Sequence, residues 1–343
     1  MQKVKGFAAK NLVGIPTAKM SRAEWVSART AAAHNAVGGS EIGVLLRLDN
    51  RFSSPIRMFY ERLGLWDANF TDNQYAFTGR LMESTIVNLW RHWQGDWEST
   101  MAAYDQGRKS RRSRACKFIL FNPEFPHQMA NIDNKIMFSP DSPTGKGILE
   151  AKTLSGHASD RYETGIPPKH IAQVQDYLLI TGEEYGELAV LKNGVEFTVY
   201  PIEANTNIQN AIVVAVENFF SRVESARREI ATLGPYAEFE EKVFAAQVWE
   251  PPVEAADDEY EFLSEKAKRL TMAGDYEPDE KILGYFEHAL DFADREKEAE
   301  ERKQWHQNQI RQDMTARGIY RYSWKEGVIT NGKRFTLKRR KQK

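Results

Sequence analysis

The sequence predicts an α/β protein: a mixed central β-sheet flanked by helices, with a helical extension towards its C-terminal end. Three observations predict it. Short apolar runs bounded by turn residues, at 117–121, 130–138, 148–153, 187–191 and 196–200, have the length and composition of strands. Segments between and around them repeat their apolar residues at helical spacing. Beyond Trp249-Glu250-Pro251-Pro252 the composition changes, and residues 251–301 hold 17 acids against 6 Lys/Arg.

Each element has a local reason. Residues 1–20 carry scattered lysines and no continuous apolar stretch, and are expected as a loose N-terminal arm. Ser21-Arg22-Ala23-Glu24 fits a capping box that starts a helix running to about Asn35. Gly38-Gly39 breaks that helix, and Ser40 is placed to cap a next one over 41–48. Residues 55–65 are helical, with Met58, Phe59 and Leu63 inward, and 66–77 form a loop. The phrase Gly79-Arg80-Leu81-Met82-Glu83 opens a helix whose Met82, Ile86, Leu89 and Trp93 make one apolar stripe. Glu83 borders that stripe, as a surface acid favoured by the helix dipole would. A helix over 169–181 buries Ile171, Val174 and Leu178, and sets Gln173 and Tyr177 on another face. Asn193-Gly194 joins two strands in a tight hairpin. Ile208, Ile212, Val216, Phe219 and Val223 face inward from a helix over 207–230. Residues 279–317 form one long charged helix, and 320–337 a hairpin turning at Asn331-Gly332. The resulting division is an arm (1–20), a main domain (21–249), an acidic helical extension (250–318) and a basic tail (319–343).

The stretch Ile148-Leu149-Glu150-Ala151-Lys152-Thr153 stands apart. Strand side chains alternate faces, so Glu150 and Lys152 share one face of an otherwise apolar strand. Taken alone, the two charges either neutralise each other on an exposed face, or Glu150 holds a hard divalent metal while Lys152 steers a water or a phosphate. Asp133, on the preceding strand-like run, can be carried beside Glu150 by a hairpin between Phe138 and Lys146. Asp141 lies nearer in sequence, but Ser139-Pro140-Asp141-Ser142-Pro143 is loop-tip chemistry. Gly38-Gly39-Ser40 and Arg29 are open to two readings as well: an ordinary helix corner, or a site where amide N–H groups, a hydroxyl and a guanidinium meet a phosphate.

The order Glu83, Asp133, Glu150-x-Lys152 and Gln173-x-Gln175, over about residues 22–200, resembles the lambda exonuclease (YqaJ viral recombinase) family of the PD-(D/E)XK nuclease superfamily. Asn122-Pro123-Glu124-Phe125-Pro126 matches the family's approach to its catalytic Asp. Asn134, where relatives carry Gly, and His170, where they often carry Tyr, depart from the pattern. The resemblance implies a restriction-endonuclease-like core and a 5′→3′ exonuclease that trims one strand of linear duplex DNA. The 3′ single strand left behind would enter recombination by strand annealing. It implies two Mg2+ ions, with Mn2+ able to substitute, held by Glu83, Asp133, Glu150 and the Ala151 carbonyl. Lys152 and Gln173 would work at the scissile bond, while Arg29 and Ser40 would hold the 5′-terminal phosphate, with Arg47 or Arg51 as a second contact. The implied partners are duplex DNA ends, a single-strand annealing protein and further copies of the chain in a ring. The implied setting is the cytoplasm of a bacterial host for a phage or prophage protein. The alternatives are a structure-specific endonuclease or resolvase of the same fold, or a non-catalytic DNA-binding accessory protein.

Bulk properties fit these expectations. The single cysteine, Cys116, excludes an intrachain disulfide and a four-cysteine iron–sulfur cluster. No G-x-x-x-x-G-K-[ST] motif is present, which argues against an ATP-driven motor, and no HExxH zinc motif occurs among the 7 histidines. Net charge is −1, but its distribution is uneven. Arg108, Lys109, Arg111, Arg112, Arg114 and Lys117 cluster without an acid, and 318–343 hold 9 Lys/Arg against 1 acid. Both are candidate DNA contacts, or solvated charge.

Overall fold

The computed structural model describes residues 1–48, 53–67, 74–154, 162, 165–253, 257–270, 280–317, 321–324, 327–331 and 335–339. The chain divides into two compact units, 1–271 and 272–343.

In the first unit the N-terminal segment is not a loose arm. Strands β1 (Gln2–Lys3) and β2 (Val13–Pro16) pair with each other. Buried Val4 and Leu12 explain why the segment is pinned rather than solvated. Helix α1 (Arg22–Ala33) opens with the expected capping box, since Glu24 N–H donates to Ser21 Oγ and Ser21 N–H to Glu24 Oε2. Strand β3 (Val37–Gly38) runs straight into α2 (Gly39–Leu45). Here the expectation needs correcting. Gly38, not Ser40, is the N-cap, and its N–H is taken by Glu41 Oε2 at 2.8 Å. Ser40 sits inside the first turn and is exposed.

Helix α3 (Pro55–Arg62) follows, with Met58 and Phe59 buried. Helix α4 (Gln74–His92) begins one turn earlier than expected. Helix α5 (Trp97–Asp105) leads to β4 (Arg112–Ala115) and β5 (Phe118–Phe121), and β2 pairs with β5. The run at 130–138 is broken. Short β6 (Gln128–Met129) pairs with β3, Ala130 bridges Leu120, and the strand proper is β7 (Asn134–Phe138). Next come β8 (Gly147–Leu154), α6 (Pro168–Thr181), β9 (Tyr185–Lys192) and β10 (Glu196–Glu203).

The main sheet has the order β10-β9-β8-β7-β4, with β8 and β9 parallel and the other pairs antiparallel. This is the expected mixed sheet. The β9–β10 hairpin turns at Asn193 (φ 51°) and Gly194 (φ 77°), two consecutive left-handed residues that match the right-handed strand twist.

Alternation along β8 decides what lies on each side of the sheet. Ile148 packs with Val174, Tyr177 and Leu178 of α6. Leu149 packs with Ile86, Val87 and Trp90 of α4. Each such side chain, buried, contributes about 1.5–3 kcal/mol. Helix α2 crosses α6 so closely that a side-chain carbon on Gly39 would stand 2.4 Å from the Tyr177 ring. Only glycine fits there.

Helices α7 (Thr206–Thr232) and α8 (Phe239–Gln247) complete a helical layer with α3. Helix α9 (Asp257–Arg269) joins the same core through Phe262, and Arg57 Nε meets Asp258 Oδ1 at 3.0 Å. The first unit therefore runs past the Trp249–Pro252 junction.

In the second unit α10 (Glu280–Ala316) is the expected long charged helix. The tail is not a single hairpin. It is an antiparallel meander of β11 (Arg321–Trp324), β12 (Gly327–Asn331) and β13 (Phe335–Arg339). Among the described residues no helix is long and apolar enough to cross a membrane.

Candidate active site

Antiparallel pairing of β7 and β8 builds the site. Asn134 stands opposite Leu149, so Asp133, the residue just before β7, reaches β8 at Glu150-Ala151. Asp133 Oδ2 accepts the Ala151 N–H at 2.8 Å. The acid thus stands at the strand's entrance rather than within it. Two residues along β8 on the same face, Lys152 Nζ meets Glu150 Oε1 at 2.8 Å. From α6, Gln173 Nε2 donates to the same Glu150 oxygen at 2.7 Å and lies 3.1 Å from the Tyr177 hydroxyl. Glu150 is buried, and its second oxygen, Oε2, has no hydrogen-bond partner.

The acids feel one another. Burial, then the Glu150 and Glu83 charges, push the Asp133 carboxyl well above the ordinary carboxylate range. Burial, then Glu150, push Glu83 up as well. Lys152 shows the reverse balance. Burial would strip its proton, but the Glu150 and Asp133 charges outweigh burial and hold the ammonium in its charged form. Glu83 is half-buried in the middle of α4, not in its first turn where the helix dipole would favour it, and it lies within electrostatic reach of Glu150.

Among the described residues no three His, Cys, Asp or Glu side chains are gathered as a ready set of metal ligands. The reason is local: Glu150 is drawn to Lys152 and Gln173, and Asp133 to the Ala151 N–H. The donor chemistry nonetheless fits a hard divalent cation. It consists of carboxylate oxygens with mutual repulsion to relieve, and one buried oxygen of Glu150 without a partner.

The remaining expected residues separate. Asp141 pairs with Arg111 and is 49% exposed at its loop tip, away from the acids. Arg111, inside the basic cluster, turns into the core, where it also approaches Glu187 at 3.8 Å. Arg112 lies over the Phe138 ring at 5.8 Å, and Arg114 is exposed on the sheet edge. Gln175 holds the β10–α7 junction, donating to the Glu203 carbonyl at 2.6 Å and accepting from Asn205 N–H at 2.8 Å. Only the first Gln of the pair reaches the acids. Asn122, in the Asn-Pro approach, donates to the Ile180 carbonyl at 3.1 Å and ties that turn to the end of α6.

Arg29 comes to the start of α2. Its Nη2 stands 3.2 Å from where a Gly38 side-chain carbon would be, and its charge acts on Glu41. Burial opposes ionisation of Glu41, yet Arg62, Arg29 and the Gly38 N–H together hold its carboxyl below the usual range. Arg29 and Ser40 thus stand at the same helix start. Arg47 instead meets Glu259 at 3.3 Å and the Pro252 carbonyl, and Arg51 lies outside the described residues.

Two contributors were missed as site components in the sequence. Tyr177 supports Gln173, and its i, i+4 spacing was the available signal. Glu41, the third residue of the α2 turn, neutralises Arg29 and Arg62, and a Glu three residues after a break is a capping signature.

A mixed sheet flanked by helices on both faces, with an antiparallel pair that sets an Asp against a Glu-x-Lys, is the arrangement that the resemblance to PD-(D/E)XK proteins leads one to expect. More narrowly, residues 24–184 match the model of the YqaJ-like viral recombinase domain. The uncharacterized protein YqaJ of Bacillus subtilis (strain 168) is 29% identical over 206 residues, which is 59% of this chain and 56% of that relative. The match thus spans little more than half of the relative's length. Similar solved structures include an alkaline exonuclease from Laribacter hongkongensis (16% identity, 61% of this chain, 100% of that one, TM-score 0.44). A phage-related exonuclease from Haemophilus somnus is also similar (12% identity, 57% of this chain, 98% of that one, TM-score 0.32).

Proposed function

We propose that the protein is a divalent-cation-dependent deoxyribonuclease that trims the 5′-ended strand of linear duplex DNA and leaves a 3′ single strand for recombination by strand annealing. The observation that carries the reading is the placement of Asp133 and Glu150 across the β7–β8 pair, with Lys152 ion-paired to Glu150 at 2.8 Å. Residence in a recombinase-type domain supports it.

Asp133, the buried Oε2 of Glu150 and the Ala151 carbonyl are the groups that would hold Mg2+, with Mn2+ able to substitute, and Glu83 would serve a second ion. When bound, such a cation neutralises phosphate charge and makes a bound water acidic. Lys152, 2.8 Å from Glu150, would orient or deprotonate the attacking water and offset charge growing on the phosphate oxygens. Gln173 holds Glu150 in place and presents its amide beside the reacting phosphate. In the hydrolysis a water oxygen bonds to phosphorus and the bond to the 3′ oxygen breaks. The released product is a 5′-mononucleotide. Arg29, with Ser40 at the start of α2, would fix the terminal 5′ phosphate and so set the direction of travel. A ring of several copies around the duplex would keep the enzyme on its substrate, and a single-strand annealing protein would receive the product.

The test is digestion of linear duplex labelled at the 3′ end, with and without a 5′ phosphate, in Mg2+. Label retained in a lengthening single strand supports the reading. Internal cutting of circular duplex would support a structure-specific endonuclease instead. DNA binding with no hydrolysis would leave an accessory role.

A further inference from the structure

Behind Asp133, where the edge of the main sheet meets the N-terminal sheet, lies a groove of about 900 Å³. Its walls come from β1, β2, β4, β5 and β7, with Cys116 and Lys117 at the joint. It is strongly basic: Lys3, Lys5, Arg114, Lys117 and Lys135 line it, and no Asp or Glu does. Lys135 is engaged, 3.4 Å from Glu183 and 4.5 Å above the Phe7 ring. The other four cations have no carboxylate partner among the described residues. Lys3, Lys5, Arg114 and Lys117 are exposed. Between them lie apolar surfaces, the rings of Phe7 and Phe118 and the 47%-exposed Met137.

Like charges crowded on one concave surface repel one another, and a fold that keeps them there without acids leaves a positive potential for an anionic partner. Cations alternating with aromatic faces suit a single-stranded nucleic acid, whose phosphates track the cations while its bases stack. A duplex offers no unstacked base to Phe7 or Phe118. The groove's joint is also tied directly to the catalytic strand pair, since Cys116 N–H donates to the Asp133 carbonyl at 3.2 Å.

We propose that this groove is a second nucleic-acid site, which holds a single DNA strand by its phosphates on Lys3, Lys5, Arg114 and Lys117 and by its bases on Phe7 and Phe118. The inference rests on the nuclease reading for the origin of that strand, which is the one spared by hydrolysis.

The full-length protein is titrated, in EDTA so that nothing is cut, into fluorescein-labelled oligothymidylate about 20 nucleotides long, enough for one groove. A blunt duplex of equal length is titrated in parallel, both at several salt concentrations. Wild type is compared with K3E/K5E/R114E/K117E and with the milder K3Q/K5Q/R114Q/K117Q. Melting temperatures within a few degrees of wild type certify folding. Expected is at least tenfold weaker oligothymidylate binding for the charge reversal, with a salt slope shallower by about 3, since each single-strand phosphate contact contributes about 0.7. Duplex binding should weaken less, and the glutamine variant should fall between. Unchanged oligothymidylate affinity and slope, equal losses on duplex and single strand, or no binding by wild type would each overturn the groove. Whether wild type degrades duplex in Mg2+ is read separately. Hydrolysis with groove-independent binding refutes the groove alone, and groove-dependent binding without hydrolysis refutes the nuclease reading alone.

Discussion

Asp133 accepts the main-chain N–H of Ala151 at 2.8 Å, so the acid is fixed to the strand that carries Glu150 and Lys152. Two segments separated by a hairpin therefore hold one site in register. The bond also explains how an acid outside any strand is kept beside the others despite their repulsion.

Removing either arm of that arrangement should stop hydrolysis without unfolding the protein. Asp133→Asn, Glu150→Gln and Lys152→Ala are each expected to lower Mg2+-dependent degradation on the order of 10²-fold or more, the scale of losing one preorganised charge at a reacting centre. Duplex binding should change little. Asp141→Asn, which touches only the exposed end of the Arg111 pair, should retain hydrolysis. Comparable loss in Asp141→Asn would mean that the wrong acid has been assigned.

Cation binding should expel protons. Burial and the neighbouring carboxylates raise Asp133, and burial and Glu150 raise Glu83, so both acids hold protons at pH values where ordinary carboxylates have lost them. A cation needs the ionised form, so affinity should climb with pH until the raised groups are ionised. Calorimetry of Mg2+ or Mn2+ binding in buffers of different ionisation enthalpy counts the protons released. No proton release at any pH above the ordinary carboxylate range would contradict the coupling.

Arg29→Ala should cost the preference for phosphorylated ends. A guanidinium–phosphate hydrogen bond is worth about 1.5–3 kcal/mol, or roughly tenfold or more in the rate ratio between 5′-phosphate and 5′-hydroxyl substrates. Glu41 and Trp25 would lose a neighbour as well, so melting temperature must be checked alongside. An intact preference in a folded variant would remove Arg29 from the phosphate site.

Asp176 offers a test of the scaffold. It is fully buried on α6, its Oδ1 takes a 2.6 Å bond from Gln128, and its Oδ2 has no partner. Burial pushes its carboxyl up to about 8. The sign follows from linkage. The folded state keeps the proton up to that pH, whereas the unfolded chain loses it in the ordinary carboxylate range. Stability from this group is thus present below that range and lost as pH rises towards 8. Asp176→Asn cannot ionise and preserves the Gln128 contact. It should match wild type near pH 4 and exceed it by at least about 1 kcal/mol at pH 8 and above. Equal stability at both pH values would mean that Asp176 is solvated or paired.

Much of this could be read from the residues. The Glu150/Lys152 face followed from strand periodicity, and the Asn193-Gly194 turn from its left-handed requirement. The stripes of α4 and α7 were plain because the core lies on one side of each helix, whereas α6 is buried nearly all round, Gln173 and Tyr177 included. What could not be read depended on tertiary partners. Leu12 marks the N-terminal segment as anchored only once β5 is there to pair with β2. Ser40 looked like the cap because its side chain favours that place, but the β3–β6 pairing pins Gly38 and starts the helix earlier. Gln175 belongs to the same motif as Gln173, yet their roles divide, because neighbouring-but-one positions on a helix face different partners.

The most direct measurement follows both strands of a linear duplex carrying one 5′ phosphate, with Mg2+, for wild type and Asp133→Asn. The account predicts stepwise release of 5′-mononucleotides from the phosphorylated strand by wild type, a persisting complementary strand, and neither product from Asp133→Asn despite duplex binding. Equal degradation by the two proteins, or no hydrolysis by wild type with any divalent cation, would contradict it.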